Sequence, residues 1–162
     1  MNIRSRKKQL IFEKIRSNKK IDAGRRIVLF SVSAILLFRL ILFFFELAYF
    51  SAKGISVSIL SNVLLLPLML ILYMIYDGNK GIASIPAISA VIRIVVYFSS
   101  THAQVSEAGG NLYTGLLIAV MVLQFATSVL VSAASKCQDY FTAMQGINLQ
   151  IQKEFLNSSG RR

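Results

Sequence analysis

The chain has no tryptophan, one cysteine, two prolines, one histidine and seven acidic residues among 162. Each shortage excludes something. A single cysteine, Cys137, closes no internal disulfide and supplies neither a Cys-x-x-Cys redox pair nor a cysteine-based zinc site. Two prolines do not make a disordered or low-complexity linker. Charged residues are 15% of the chain, whereas a soluble domain carries roughly 25%. Catalytic signatures are missing as well. There is no glycine-rich phosphate loop, no His-Glu-x-x-His, no Gly-x-Ser-x-Gly, and no pair of carboxylates spaced for acid–base work. No apolar stretch repeats arginine every third residue, which excludes a voltage sensor. Neither an enzyme nor a cofactor or metal site is expected.

What the chain does have is apolar length. Hydrophobic residues make up 55% and the mean hydropathy is +0.61. Four apolar stretches cover residues 27–50, 55–76, 81–100 and 112–135. At about 1.5 Å per residue, each is long enough for a helix to cross a hydrocarbon core of roughly 30 Å. No period-2 alternation accompanies them, so a transmembrane barrel is excluded. The third stretch contains Pro86, expected in its second turn, where the lost hydrogen bond matters less than in mid-helix. The connections are 51–54, the Asp-Gly-Asn-Lys turn at 77–80, and 101–111. Short links make consecutive helices antiparallel neighbours. The expected fold is an all-α integral membrane protein, a four-transmembrane-helix bundle with short loops. Its parts are a basic tail (1–26), the membrane domain (27–135) and an amphipathic C-terminal segment (136–162).

Charge sets the expected orientation. Residues 1–26 hold Arg4, Arg6, Lys7, Lys8, Lys14, Arg16, Lys19, Lys20, Arg25 and Arg26 against Glu13 and Asp22. Ten bases and two acids give +8, leaving +3 of the total +11 for everything else. The positive-inside rule keeps such a tail in the cytoplasm. Four spans then put the 77–80 turn and the C-terminus, with Lys136, Lys153, Arg161 and Arg162, on the same side. Three spans would place that basic C-terminus outside, against the rule. The first apolar run is too long for the 7–15-residue core of a signal peptide, so it reads as a retained anchor. Size and charge suggest a bacterial inner-membrane protein. The ten bases are expected to meet anionic lipid head groups. Phe12 is the one aromatic among them, so nucleic acid is not expected.

The polar residues inside the spans are the candidate site, because intramembrane ionisable groups are costly. They are Arg39 and Glu46 in the first span, Asn62 in the second, Arg93 in the third and Gln124 in the fourth. Counted from the outer boundary, Glu46 lies about 6 Å deep and Asn62 and Arg93 about 10 Å. One polar layer with a Glu46–Arg93 ion pair follows. Arg39 at about 16 Å and Gln124 at about 18 Å form a deeper level. Arg39 and Glu46 are seven residues apart and share a helix face. Two cations against one anion leave Arg39 uncompensated. It is expected to meet an anionic ligand or a partner's acid, or else to bond Gln124 and helix carbonyls.

Other features point to contact surfaces. Phe38, Phe43, Phe44, Phe45 and Phe50 surround the first span with bulk for lipid or a partner. Ala83/Ala87 and Gly115/Ala119 fit small-xxx-small spacing. In the C-terminal segment Tyr140, Met144, Ile147, Ile151 and Phe155 form one stripe. It is expected to face a partner or the membrane surface, with packing on its own bundle as the alternative. Asp77 and Asp139 have no evident partner. The functional expectation is a non-catalytic subunit of a larger membrane complex serving transport or secretion. The alternative is a homo-oligomeric channel or small transporter whose anion-favouring path is lined by Arg39.

Overall fold

The structure is a computed structural model and describes residues 3–52, 65–107 and 110–159. Among these the chain is helical, with no strand. Helix α1 (Ile3–Ile11) ends in a π turn, Phe12–Arg16, and α2 runs Lys19–Ala52. Helix α3 (Leu65–Tyr76) leads through a tight turn and a 3-10 turn, Lys80–Ile82, into α4 (Ile85–Val96). A second π turn, Tyr97–Thr101, joins α4 to α5 (His102–Glu107). Helices α6 (Asn111–Ala133) and α7 (Ser135–Ser159) complete the fold.

Three stretches, Lys19–Tyr49, Lys80–Ser100 and Asn111–Ala133, are long and apolar enough to cross a membrane. The described part of the expected second span is α3, twelve residues. Residues 53–64, with the expected 51–54 link for the most part and Asn62, lie outside the described residues.

Local chemistry fixes the helix ends. Asn18 caps α2, its side-chain oxygen accepting the Lys20 N–H at 3.1 Å. Helix α3 stops at Gly78, whose φ of +97° only glycine adopts cheaply. The Gly78 N–H donates to Ile75 O at 3.0 Å and the Asn79 N–H to Met74 O at 3.0 Å, a Schellman closure. Pro86 sits in the first turn of α4 rather than the second, because the 3-10 turn delays the helix start. There a missing N–H costs nothing. The expected 101–111 loop is instead helical as far as Glu107.

Helix α2 is the hub, packed by α3, α6 and α7, while α4 packs on α6. Its inward seam reads Val28, Ser31, Ile35, Arg39, Leu42 and Glu46, all buried at spacings of three or four. Two apolar clusters flank the polar part of that seam. One joins Leu10, Ile15, Val28, Leu72, Tyr140 and Ile147 from α1 through α7. The other joins Leu42, Ala90, Tyr97, Leu117 and Met121.

The two terminal segments belong to the bundle. Helix α2 crosses positions 26 and 27 without a break, and α1 lies along α7. The N-terminal part of α7 crosses α2 at Gly24, where a Cβ would collide with the Lys136 carbonyl. Tyr140 donates its hydroxyl to Tyr76 O at 2.5 Å, and Asn148 donates to Asp77 O at 3.0 Å. The stripe is therefore turned inward: Tyr140, Met144 and Ile147 are buried, Ile151 is partly buried, and Phe155 is exposed. Own-chain packing wins because α7 finds the α3–α4 turn and α1 within reach.

Candidate functional site within the helix bundle

The seven-residue interval between Arg39 and Glu46 puts both on the inward seam of α2, 4% and 2% exposed. Among the described residues, two side chains bond Glu46. Arg93 of α4 forms an ion pair with its Oε1, and Tyr113 of α6 donates its hydroxyl to the same oxygen at 2.8 Å. Three helices thus converge on one carboxylate. Phe45 stacks over Tyr113 with centroids 6.2 Å apart. Nearby, Tyr97 and Thr114 share a hydroxyl–hydroxyl hydrogen bond of 2.6 Å between α4's end and α6.

One level deeper, the expected partners separate. Gln124, 1% exposed, turns its amide nitrogen to α4, donating to Pro86 O at 2.6 Å and Ser89 Oγ at 2.8 Å. Ser128 donates to Ala83 O at 2.6 Å, just ahead of α4. Arg39 does not reach Gln124. Its Nη1 lies 3.8 Å from Met121 Sδ, and its Nε is buried with no hydrogen-bond partner among the described residues. Gln124 Oε1 is a buried acceptor in the same condition. Asn62, expected in the outer layer, lies outside the described residues.

Among the small residues, Ala83 and Ala87 are buried at a helix contact. Gly115 meets nothing within 4 Å of an added Cβ and Ala119 is exposed, so that pair faces outward. The broad outer face of α2 carries Phe30 (74% exposed), Leu37, Phe38, Ile41 and Phe44 (61%).

The basic residues divide into two sets. Arg6 grips Glu154 through two 3.2 Å contacts, Lys7 meets Asp77 at 2.5 Å, and Lys14 donates to Gln150 at 2.7 Å. Arg25 and Arg26 both bond Asp22, at 2.9 and 2.8 Å. Asp77 therefore has a partner after all. Lys8, Arg16, Lys19 and Lys20 are exposed, and so is Phe12. The Arg4 side chain is outside the described ones. The hydrogen bond from Arg6 holds the Glu154 carboxyl below its ordinary range. Burial pushes up the Tyr140 hydroxyl and the Cys137 thiol.

Sequence reading missed Tyr113. The available signal was depth: Tyr113 starts the fourth apolar stretch, at the end of the bundle where depth counting also puts Glu46. Among the described residues no group of His, Cys, Asp and Glu could hold a metal ion. Comparison of the chain with protein-family models, curated proteins and solved structures found no match.

Proposed function

We propose that this protein is a non-catalytic subunit of a larger membrane complex serving transport or secretion. The observation that carries this reading is how the intramembrane polar groups are spent. Glu46, Arg93 and Tyr113 bind one another, and Gln124 and Ser128 bond carbonyls of the α4 segment. Such groups hold helices together rather than work on a substrate. The outer face of α2, rich in phenylalanine, is the surface we assign to a neighbouring subunit.

In this reading the chain crosses the bilayer four times, with both termini in the cytoplasm. Its support is that α1, the α3–α4 turn and α7 gather at one end, linked by the Lys7–Asp77 and Arg6–Glu154 pairs. That end holds most of the positive charge, as a cytoplasmic face requires. The exposed Lys8, Arg16, Lys19 and Lys20 would meet anionic head groups of a bacterial inner membrane, with Phe12 at the interface. The chain makes no use of nucleic acid.

A second reading is favoured by one observation, the unpartnered Nε of Arg39. In it, copies of the chain assemble into a channel or small transporter with an anion-favouring path along Arg39. Native mass spectrometry of the tagged protein, taken from its own membranes in nanodiscs, separates the two. A stoichiometric second protein supports the subunit. A single species at a multiple of 18.0 kDa overturns it in favour of the homo-oligomer. Arg39→Gln is the follow-up: weaker recovery of the complex in the first reading, altered anion flux with assembly intact in the second.

A further inference from the structure

We propose that Arg39 holds a small inorganic anion of the chloride class inside the bundle. The inference rests on neither functional reading, since a bound ion fits a subunit and a channel alike.

Arg39 is an arginine, so it keeps its positive charge. It is 4% exposed, and its contacts are poor for a guanidinium. One N–H points at a thioether, a weak acceptor, and Nε has no acceptor among the described residues. The acid on the same face compensates it only in part, because the attraction of Glu46 is outweighed by the repulsion of Arg93. Glu46 is seven residues on, about 10 Å along the helix axis, and is engaged by Arg93 and Tyr113. A buried cation with no acid bonded to it among the described residues is the costly arrangement, and an anion beside it removes the cost.

Depth selects the kind of anion. Arg39 is twelve residues past Ile27, about 18 Å, and eleven before Phe50, about 16 Å. That is close to the middle of a core of roughly 30 Å, too deep for a lipid phosphate. The walls favour a single charge with little hydration: Leu42 and Met121 are fully buried and apolar. Gln124 lies one turn from Met121 on the same face of α6. Its nitrogen is committed to α4, so its free Oε1 can only accept. An anion that keeps one water satisfies both orphans. The ion accepts from Arg39 Nε, and the water donates to Gln124 Oε1.

The test uses the full chain in nanodiscs and radiolabelled chloride, with gluconate holding the ionic strength constant. Saturable binding approaching one chloride per chain is expected. Arg39→Met should lose it, and Arg39→Lys, which keeps a charge but lacks the fork, should bind more weakly than wild type. Melting followed by circular dichroism guards against variants that do not fold: chloride should raise the Tm of the wild type above its value in gluconate. Absence of saturable binding to the wild type, a wild-type Tm indifferent to the anion, or an unchanged isotherm in a folded Arg39→Met protein overturns the proposal.

Discussion

The carboxylate shared by three helices gives an asymmetric prediction. Removing one partner of a buried pair costs about 3–5 kcal/mol, because the survivor is stranded. The two survivors differ here. In Arg93→Met the stranded group is Glu46, 2% exposed on a short side chain but still receiving the Tyr113 hydroxyl. A loss of about 4 kcal/mol is expected. In Glu46→Gln the stranded group is a guanidinium on a long side chain that is 13% exposed, so it can tilt partly toward solvent. A smaller loss, about 3 kcal/mol, is expected. The double variant keeps no stranded charge and should be more stable than either single. Reversible unfolding in mixed micelles, read by circular dichroism, measures all four corners of the cycle. A double variant that loses the sum of the two singles would refute the reasoning, as would a Glu46→Gln protein less stable than Arg93→Met.

Gly24→Ala should destabilise by about 1–3 kcal/mol, because the new methyl meets the Lys136 carbonyl and must push α7 off α2; the same unfolding assay checks it. Cys137 is fully buried and its thiol is held protonated, so maleimide labelling should be slow in the native protein and fast once the bundle is opened by denaturant. Acid should loosen the α1–α7 contact. The Glu154 carboxyl is depressed in the fold, so its contribution is present above the ordinary carboxylate range and is lost as pH falls through its folded value. Hydrogen exchange in α1 should rise there, and Glu154→Gln should remove that pH dependence while leaving α1 exchanging faster throughout.

Legibility in the sequence followed the physics of each feature. Helical class came from apolar length, and the shared face of Arg39 and Glu46 came from a seven-residue interval. Depth counting levelled Glu46 with Arg93, and the structure joins those two. The same counting levelled Arg39 with Gln124, yet these stay apart. Counting gives height along the membrane normal and says nothing of rotation about each helix, and the rotation of α6 aims Gln124 at Pro86 and Ser89. The basic tail read as free because the acids that engage it are remote: Asp77 is 70 residues from Lys7, and Glu154 is 148 from Arg6. Periodicity found the stripe of α7 but carries no information on what covers it, and here the cover is α1, α2 and the Gly78 turn.

The Arg6–Glu154 clasp also sets an order in time. At a synthesis rate of about 5–20 residues per second, the 148 residues between the two ends take roughly 7–30 s to make. Through that interval the first helix has no α7 to lie on, and Leu10 and Ile15 lack the wall that buries them. Insertion of the apolar helices and locking of the bundle are thus separate events, the second waiting on the ribosome. Until then the newborn chain presents its basic N-terminal helix, open, to whatever meets it at the membrane.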